Sequence, residues 1–185
     1  MRTYISVLRG INVSGKKVIK MDSLKDSYAD LGFIKIHTYI KSGNVIFQSP
    51  KSGQQKIANM LKNKISDDYG FEVPVIVKDA DELKNVIKNN PFLSNQNVNP
   101  AFLHITFLSA VPLKSEVDKL KERDYSPDIF IVIDDIIYLY IPCGYGNTKL
   151  NNNFFENKLK VIATTRNWNT VNELCEIADS LRKNK

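Results

Sequence analysis

The chain has 185 residues, of which 43% are hydrophobic and 25% charged, with a formal net charge of +6. These values are ordinary for a globular protein with a core, and the length suits one large domain or two small ones. Two cysteines, Cys143 and Cys175, are too few for a disulfide framework, and no apolar run reaches the ~18 residues of a membrane span. Because nothing like a leader precedes the first predicted strand, we expect a cytoplasmic protein that does not engage a membrane.

The positive charge is concentrated towards the two ends of the chain. Residues 1–50 hold 8 Lys and Arg against 3 Asp and Glu, and residues 141–185 hold 7 against 4. Residues 51–140 hold 11 against 13. If the two ends meet in the fold, the protein has a positive face, whereas the alternative is a scattered, solvated excess of lysine.

The first half of the chain predicts the element order β-α-β-β-α-β, centred on a hairpin at residues 38–47. The hairpin has two strands joined by a Gly43-Asn44 turn, where glycine supplies the positive φ that such turns need. Periodicity and turn residues predict the remaining elements. These are strands at 3–9 and 72–77, helices at about 22–31 and 54–69, and a short helix after Asp79 or Asp81.

The second half repeats the same order. It predicts strands at 102–109, 129–133, 136–141 and 160–164, and helices at about 114–123 and 149–158. A closing helix runs to about Leu181, and Thr170 with Glu173 fits a capping box at its start. Residues 89–100, with two prolines and several asparagines, are the predicted linker.

We therefore predict an α+β protein of two tandem ferredoxin-like (βαββαβ) subdomains with a connecting helix and a C-terminal helix. Residues 1–89 form the first subdomain with the connecting helix, 90–100 the linker, and 101–185 the second subdomain with the terminal helix. The sheet faces away from the helices are predicted to be apolar, with Leu8, Ile46 and Ile76 in the first subdomain and Phe130, Val132, Tyr138 and Tyr140 in the second. Such patches are rarely left exposed. The subdomains cover each other, or a homodimer partner covers them, and the cleft between the halves is the default ligand site.

Three polar segments are typical of anion sites. They are the basic loop 9–17, the glycine loop 144–149 and the segment 166–170, and the last two lead into predicted helices. Free N–H groups at helix N-termini favour anions, and a nearby Lys or Arg adds to this preference. Ordinary turns and helix caps explain the same residues equally well. Neither a Walker loop nor a dinucleotide fingerprint is present, and two histidines, His37 and His104, offer no metal-ligand cluster.

Four motifs, LRGINVSGK (8–16), TYIKSGNVIF (38–47), NPF (90–92) and ATTRNWNTV (163–171), resemble a bacterial family, domain-of-unknown-function family 1697. Ser14 stands where the family usually has a second glycine. The resemblance implies an α+β protein of ferredoxin-like subdomains, and it carries no activity or cofactor. The residues that match its motifs are Arg9, Asn12, Lys41, Ser42, Asn44, Arg166, Asn167 and Asn169.

These eight residues, with Lys16 and Lys149, are the predicted ligand-binding site. The first hypothesis is a binding module for a phosphate-bearing anion, with nucleic acid as a candidate, because Lys35, His37, Tyr39 and Lys41 interleave cations and rings along one strand. The second is an enzyme acting on a small phosphorylated or carboxylated substrate in the cleft. There Arg9 and Arg166 clamp the anion, Ser42 and Asn44 orient it, and Lys41 acts as acid or base. The third is a structural protein in which the motifs are turns and caps. The catalytic residues stay unknown, no metal or cofactor is predicted, and both a monomer and a homodimer fit the sequence.

Overall fold

The computed structural model describes residues 1–51 and 53–183. Within these ranges the chain is an α+β protein with two four-stranded antiparallel sheets and six α-helices. It divides into two compact units: unit 1 is Met1–Asn85 together with the chain from Glu173, and unit 2 is Val86–Asn172. None of the helices in the described ranges is both long and apolar enough to cross a bilayer.

Unit 1 contains the first sheet, whose strand order is β2-β3-β1-β4. Its elements are β1 (Arg2–Leu8), α1 (Met21–Asp30), β2 (Ile34–Tyr39), β3 (Asn44–Ser49), α2 (Gln54–Tyr69), β4 (Val75–Asp79) and the start of α3 (Ala80–Lys88). Asp79 is the N-cap of α3, as predicted, because its Oδ1 accepts a hydrogen bond of 2.9 Å from the Glu82 amide. The Glu82 carboxylate accepts the Asp79 amide in return, which completes a capping box.

The core of unit 1 lies between the sheet and helices α1 and α2. Side chains alternate along β1, so that Tyr4 and Leu8 join this core with Val45 and Phe47 of β3. Leu8 is therefore on the helix-facing side, and its predicted place on the opposite face with Ile46 is wrong. Ile46 and Ile76 are buried but do not belong to this helix-facing cluster.

Unit 2 contains the second sheet, with the equivalent order β6-β7-β5-β8. Its elements are β5 (Leu103–Leu108), α4 (Lys114–Lys121), β6 (Ile129–Ile133), β7 (Ile136–Tyr140), α5 (Asn152–Leu159), β8 (Ala163–Asn167) and the start of α6 (Trp168–Lys183). Two short 3-10 turns, Pro91–Ser94 and Pro100–Phe102, precede β5, and a third, Tyr145–Asn147, precedes α5. Trp168 is buried, as a packing residue would be.

The core of unit 2 again lies on the helix side of its sheet. Leu108, Ile137, Leu139 and Phe155 are buried there, and Phe130 and Val132 pack against them. The prediction that Phe130 and Val132 lie on the opposite face is therefore wrong. Strand β6, which carries both residues, is an edge strand made of five apolar residues.

Several element ends differ from the sequence prediction. The turn between β2 and β3 comprises residues 40–43, so Asn44 is the first residue of β3 and not part of a Gly-Asn turn. Helix α1 has Lys20 as its N-cap and Asp22 in its first turn. Helix α6 begins at Trp168, before the predicted Thr170-Glu173 capping box. Strands β4 and β8 and helix α5 begin about three residues later than predicted.

Candidate functional site

Six of the ten predicted site residues lie in unit 1, around the point where β1 ends. Here the loop after β1 meets the β2–β3 turn, and we call residues 9–20 and 40–44 the basic corner. Two backbone hydrogen bonds build it: the Leu8 amide donates to the Gly43 carbonyl (2.8 Å), and the Arg9 amide donates to the Pro74 carbonyl (2.9 Å). The other four predicted residues lie in unit 2.

Residues 12–17 form a tight six-residue hairpin with one bridged pair, which we call the basic hairpin. Val13 and Lys16 pair across it, and the Asn12 amide donates to the Lys17 carbonyl at 3.2 Å. Ser14 (φ 50°) and Gly15 (φ 72°) occupy its tip with the positive φ angles that a type I′ turn requires. The glycine loop predicted from the sequence is thus a hairpin with an exposed tip.

Asn12 fastens the basic hairpin to the rest of the corner. Its Nδ2 donates to the carbonyls of Ile19 (3.0 Å) and Lys41 (2.8 Å), and its Oδ1 accepts the Ile19 amide at 2.9 Å. Asparagine also tolerates the left-handed φ of 54° found here. Ile11 and Ile19 are buried at the base, and Lys17 Nζ donates to the Glu72 carbonyl at 2.7 Å. The hairpin is therefore held from several sides.

Ser42, Gly43 and Asn44 support the corner from within. Asn44 is fully buried, and its Nδ2 donates to Ser42 Oγ (2.9 Å) and to the Tyr39 carbonyl (3.2 Å). Gly43 has φ 77°, and a Cβ there would lie 2.7 Å from Leu8 Cβ and 2.8 Å from Ile11 Cδ1. The SGN motif is therefore accounted for by local hydrogen bonds and close packing.

The cations of the corner face outward. Lys16, Lys20 and Lys41 are exposed, and Arg9 is half-buried. Residues 9–20 contain 4 Lys and Arg and no Asp or Glu. The nearby Glu72 carboxylate pairs with Lys62 at 3.4 Å. Lys17 and Lys20 were not among the predicted residues, although the acid-free run of lysines was visible in the sequence.

The predicted row of rings and cations on β2 is broken. A bulge between Ile34 and His37 shifts the register, and Lys35 takes φ 49°. The Lys35 ammonium donates to the Leu181 carbonyl of α6 at 3.3 Å, and Lys41 lies in the turn beyond the strand. Regular alternation along β2 therefore does not place Lys35, His37, Tyr39 and Lys41 on one face.

The four predicted residues of unit 2 have more local roles. Asn167 Oδ1 accepts the Thr170 amide at 2.8 Å and caps α6. Arg166, on β8, is half-buried, and its Nη1 donates to the Thr165 carbonyl at 2.9 Å. Asn169 is exposed in the first turn of α6, and Lys149 is exposed just before α5. Arg166 and Asn167 are thus the last two residues of β8, Asn169 lies in α6, and Lys149 precedes α5.

His104 has a more specific environment than the sequence indicated. Its ring stacks on Tyr145 with centroids 4.9 Å apart, and its Nδ1 lies 3.2 Å from the Phe102 carbonyl. Because a carbonyl only accepts hydrogen bonds, Nδ1 carries the proton. Burial lowers the pKa of the imidazole below its ordinary value.

Two further features of the described residues bear on the chemistry. No group of three or more His, Cys, Asp or Glu within residues 1–51 and 53–183 is arranged to hold a metal ion. A surface cavity of about 290 Å³ lies in unit 2, lined by side chains that include Lys119, Arg123, Tyr125 and Lys158. Its lining contains none of the ten predicted residues.

Comparison with known proteins gives a family and a fold. A family model described as "Protein of unknown function (DUF1697)" matches residues 1–138, which leaves the C-terminal motif at 163–171 outside the match. No curated protein matches. A solved structure of conserved bacterial protein SP0830 from Streptococcus pneumoniae is similar, with a TM-score of 0.74 and 20% identity over 96% of this chain and 98% of that chain. At this identity the likeness concerns the fold.

Proposed function

The chain belongs to the DUF1697 family, and because that description assigns no activity, we propose a function from its own geometry. The protein is a binding module whose basic corner in unit 1 holds an anionic, phosphate-bearing ligand, with nucleic acid as the main candidate. Lys16, Lys20 and Lys41 provide the contacts, and Arg9 adds positive charge at the base of the hairpin.

Unit 2 supplies the observation that supports this proposal most directly. At the end of β5 the Leu108 amide donates to the Asp135 carbonyl, and the Ser109 amide donates to the Ile162 carbonyl, both at 2.9 Å. The sheet corner is thus built in the same way. Yet the loop to the next helix has five residues there, without any charge, compared with twelve in unit 1. The basic hairpin is therefore not needed to form such a corner, which favours a role in binding.

The motif residues divide into two groups with different roles. Asn12, Asn44 and Asn167 have hydrogen bonds that explain them as parts of the fold, as the structural hypothesis expects. Lys17 is held by the Glu72 carbonyl, whereas the exposed side chains of Lys16, Lys20 and Lys41 have no such structural hydrogen bond within the described residues. An enzyme acting in the cleft stays a prediction, but Ser42 and Asn44 are poor candidates for orienting its substrate because they bond to each other.

We also infer that each unit has a ferredoxin-like fold. The order β-α-β-β-α-β and the strand orders β2-β3-β1-β4 and β6-β7-β5-β8 support this inference. The domain boundaries at 89 and 101, the cytoplasmic location and the choice between monomer and homodimer stay predictions.

The binding proposal is tested by fluorescence anisotropy with end-labelled single- and double-stranded nucleic acid, and with inorganic polyphosphate as competitor. The double variant Lys16→Ala/Lys41→Ala is compared with Lys114→Ala/Lys121→Ala, which removes two exposed lysines from α4 in unit 2. We expect salt-dependent binding by the wild type. The unit 1 variant should reduce the slope of log K against log salt by about 2 on a duplex.

The control variant should bind like the wild type, and urea unfolding should show both variants as stable as the parent chain. The proposal fails if no probe binds in a salt-dependent way. It also fails if the two double variants weaken binding equally, because the charge would then act without regard to its position.

A further inference from the structure

We propose that the ligand of the basic corner is duplex DNA, with the basic hairpin entering a groove and the surrounding lysines contacting the phosphates. This inference rests on the proposed function and adds the form of nucleic acid that the surface fits. Three observations carry it. They are the shape of the hairpin, the placement of its charges, and the bulge in β2, which breaks the row of rings and cations that single-stranded nucleic acid would have needed.

The hairpin has the shape of a groove-binding element. It is a minimal ribbon in which a single bridge, between Val13 and Lys16, joins the two arms, and the major groove of B-form DNA admits a helix or a two-stranded ribbon. Its tip is narrow because Gly15 has no side chain and nothing lies within 4 Å of where a Cβ would be. Asn12 and Lys17 fasten its base to the Lys41 and Glu72 carbonyls. A ribbon held in this way loses little conformational freedom on binding.

The charges are arranged around the ribbon as phosphate contacts require. Lys16 is next to the tip, whereas Lys20 and Lys41 lie at the base, outside the two hairpin strands. Val13 and Val18, 58% and 61% exposed, flank the lysines and offer apolar contact to sugars or thymine methyl groups. The lysine contacts to phosphates would position the protein on the DNA backbone and carry no sequence information directly.

Single strands fit the same surface less well. Their binding depends largely on bases stacking on aromatic rings. Residues 9–20 contain no aromatic residue. On β2 the bulge at Lys35 breaks the row that would have combined rings with cations, and Lys35 is engaged with the Leu181 carbonyl. A ribbon is also a poor fit to duplex RNA, whose major groove is deep and narrow.

The test measures anisotropy with duplex DNA, single-stranded DNA and duplex RNA of one sequence, at two salt concentrations. Lys16→Glu is compared with Lys114→Glu, an equal charge reversal at an exposed lysine of unit 2. We expect duplex DNA to bind several times more tightly than either other form. Lys16→Glu should abolish this preference, and Lys114→Glu should leave it unchanged.

The outcomes separate this inference from the function on which it rests. Equal, salt-dependent binding of all three forms, weakened by Lys16→Glu, would keep the binding function and overturn the duplex DNA inference. A preference for duplex DNA that Lys16→Glu does not alter would overturn the role of the hairpin. No salt-dependent binding to any form would overturn both proposals. Urea unfolding of Lys16→Glu confirms that any loss reflects binding, since the side chain is exposed.

Discussion

The corner after β1 and the corner after β5 show how one backbone arrangement is used in two ways. The Leu8 amide donates to the Gly43 carbonyl in the β2–β3 turn, and the Leu108 amide donates to the Asp135 carbonyl in the β6–β7 turn. Around Gly43 the loops carry lysines, whereas Asp135 follows Asp134, and the loop after β5, residues 109–113, is uncharged. The backbone arrangement therefore fixes the sheet corner, and the side chains and loop length decide what each corner presents.

The comparison extends into the strands. Tyr4 and His104 occupy equivalent places, four residues before the leucines at the strand ends. Tyr4 is buried in the aromatic core of unit 1 beside Phe47, whereas His104 is half-buried against Tyr145. At this position unit 1 therefore has a tyrosine buried in its core, whereas unit 2 has a half-buried imidazole.

The largest expected effect compares Gly43, in the corner of unit 1, with Gly146, in the turn that precedes α5 of unit 2. Gly43→Ala should lower the free energy of unfolding by about 3 kcal/mol, because alanine is strained at φ 77° and its Cβ would collide with Leu8 and Ile11. Gly146→Ala is the matched control, since nothing lies within 4 Å of a Cβ there. It should change stability by no more than about 0.5 kcal/mol in urea denaturation. Equal losses in the two variants would contradict the close packing at Gly43.

Asn12→Ala should have an intermediate effect and tests what the longer loop of unit 1 requires. It leaves the Ile19 amide and the Lys41 carbonyl without this partner, so we expect a loss of about 2 kcal/mol in urea denaturation and weaker nucleic-acid binding. Asn147→Ala removes one exposed hydrogen bond, to the Cys143 carbonyl at 3.0 Å, and should cost about 0.5 kcal/mol. A variant at Asn12 as stable as the one at Asn147 would show that the hydrogen bonds of the Asn12 side chain contribute little to stability.

The smallest effect concerns pH. It tests the difference between His104 in unit 2 and Tyr4, which occupies the equivalent position in unit 1. Burial lowers the pKa of His104 below its ordinary value of 6.5, so the unfolded chain binds more protons as the pH falls below that value. The stability of the fold should therefore decline between about pH 7 and pH 5. His104→Gln should make this decline shallower, as followed by the fluorescence of Trp168, the only tryptophan. Parallel pH profiles for the two proteins would exclude this contribution.

Periodicity was sufficient to predict the order of elements in both units. The alternation in β1 and the apolar spacing of Ile57, Leu61 and Ile65 in α2 are local properties, and the structure confirms the stripe they form. Helix starts were less predictable because several polar residues compete to cap. Asn167 caps α6 three residues before Thr170, and both have suitable side chains.

The site was harder to predict than the fold. The sequence indicated polar motifs, but it could not tell the buried Asn44 from the exposed Lys41, since their difference depends on contacts distant along the chain. The bulge at Lys35 is set by pairing between β2 and β3, which no local pattern records. The basic hairpin was predicted only as a loop, and the Asn12 contact to Lys41 that fastens it could not be predicted because it spans 29 residues of sequence.

The outer edges of the two sheets are protected to different degrees. Strand β2, at the edge of the first sheet, carries Lys35, His37 and a bulge. Strand β6, at the edge of the second sheet, consists of five apolar residues. Ile129 and Ile133 are 50% and 42% exposed. An apolar edge strand that contains no charge, proline or bulge is a template for a further strand. Aggregation in concentrated samples should therefore begin at β6 in unit 2, the less protected of these two edge strands.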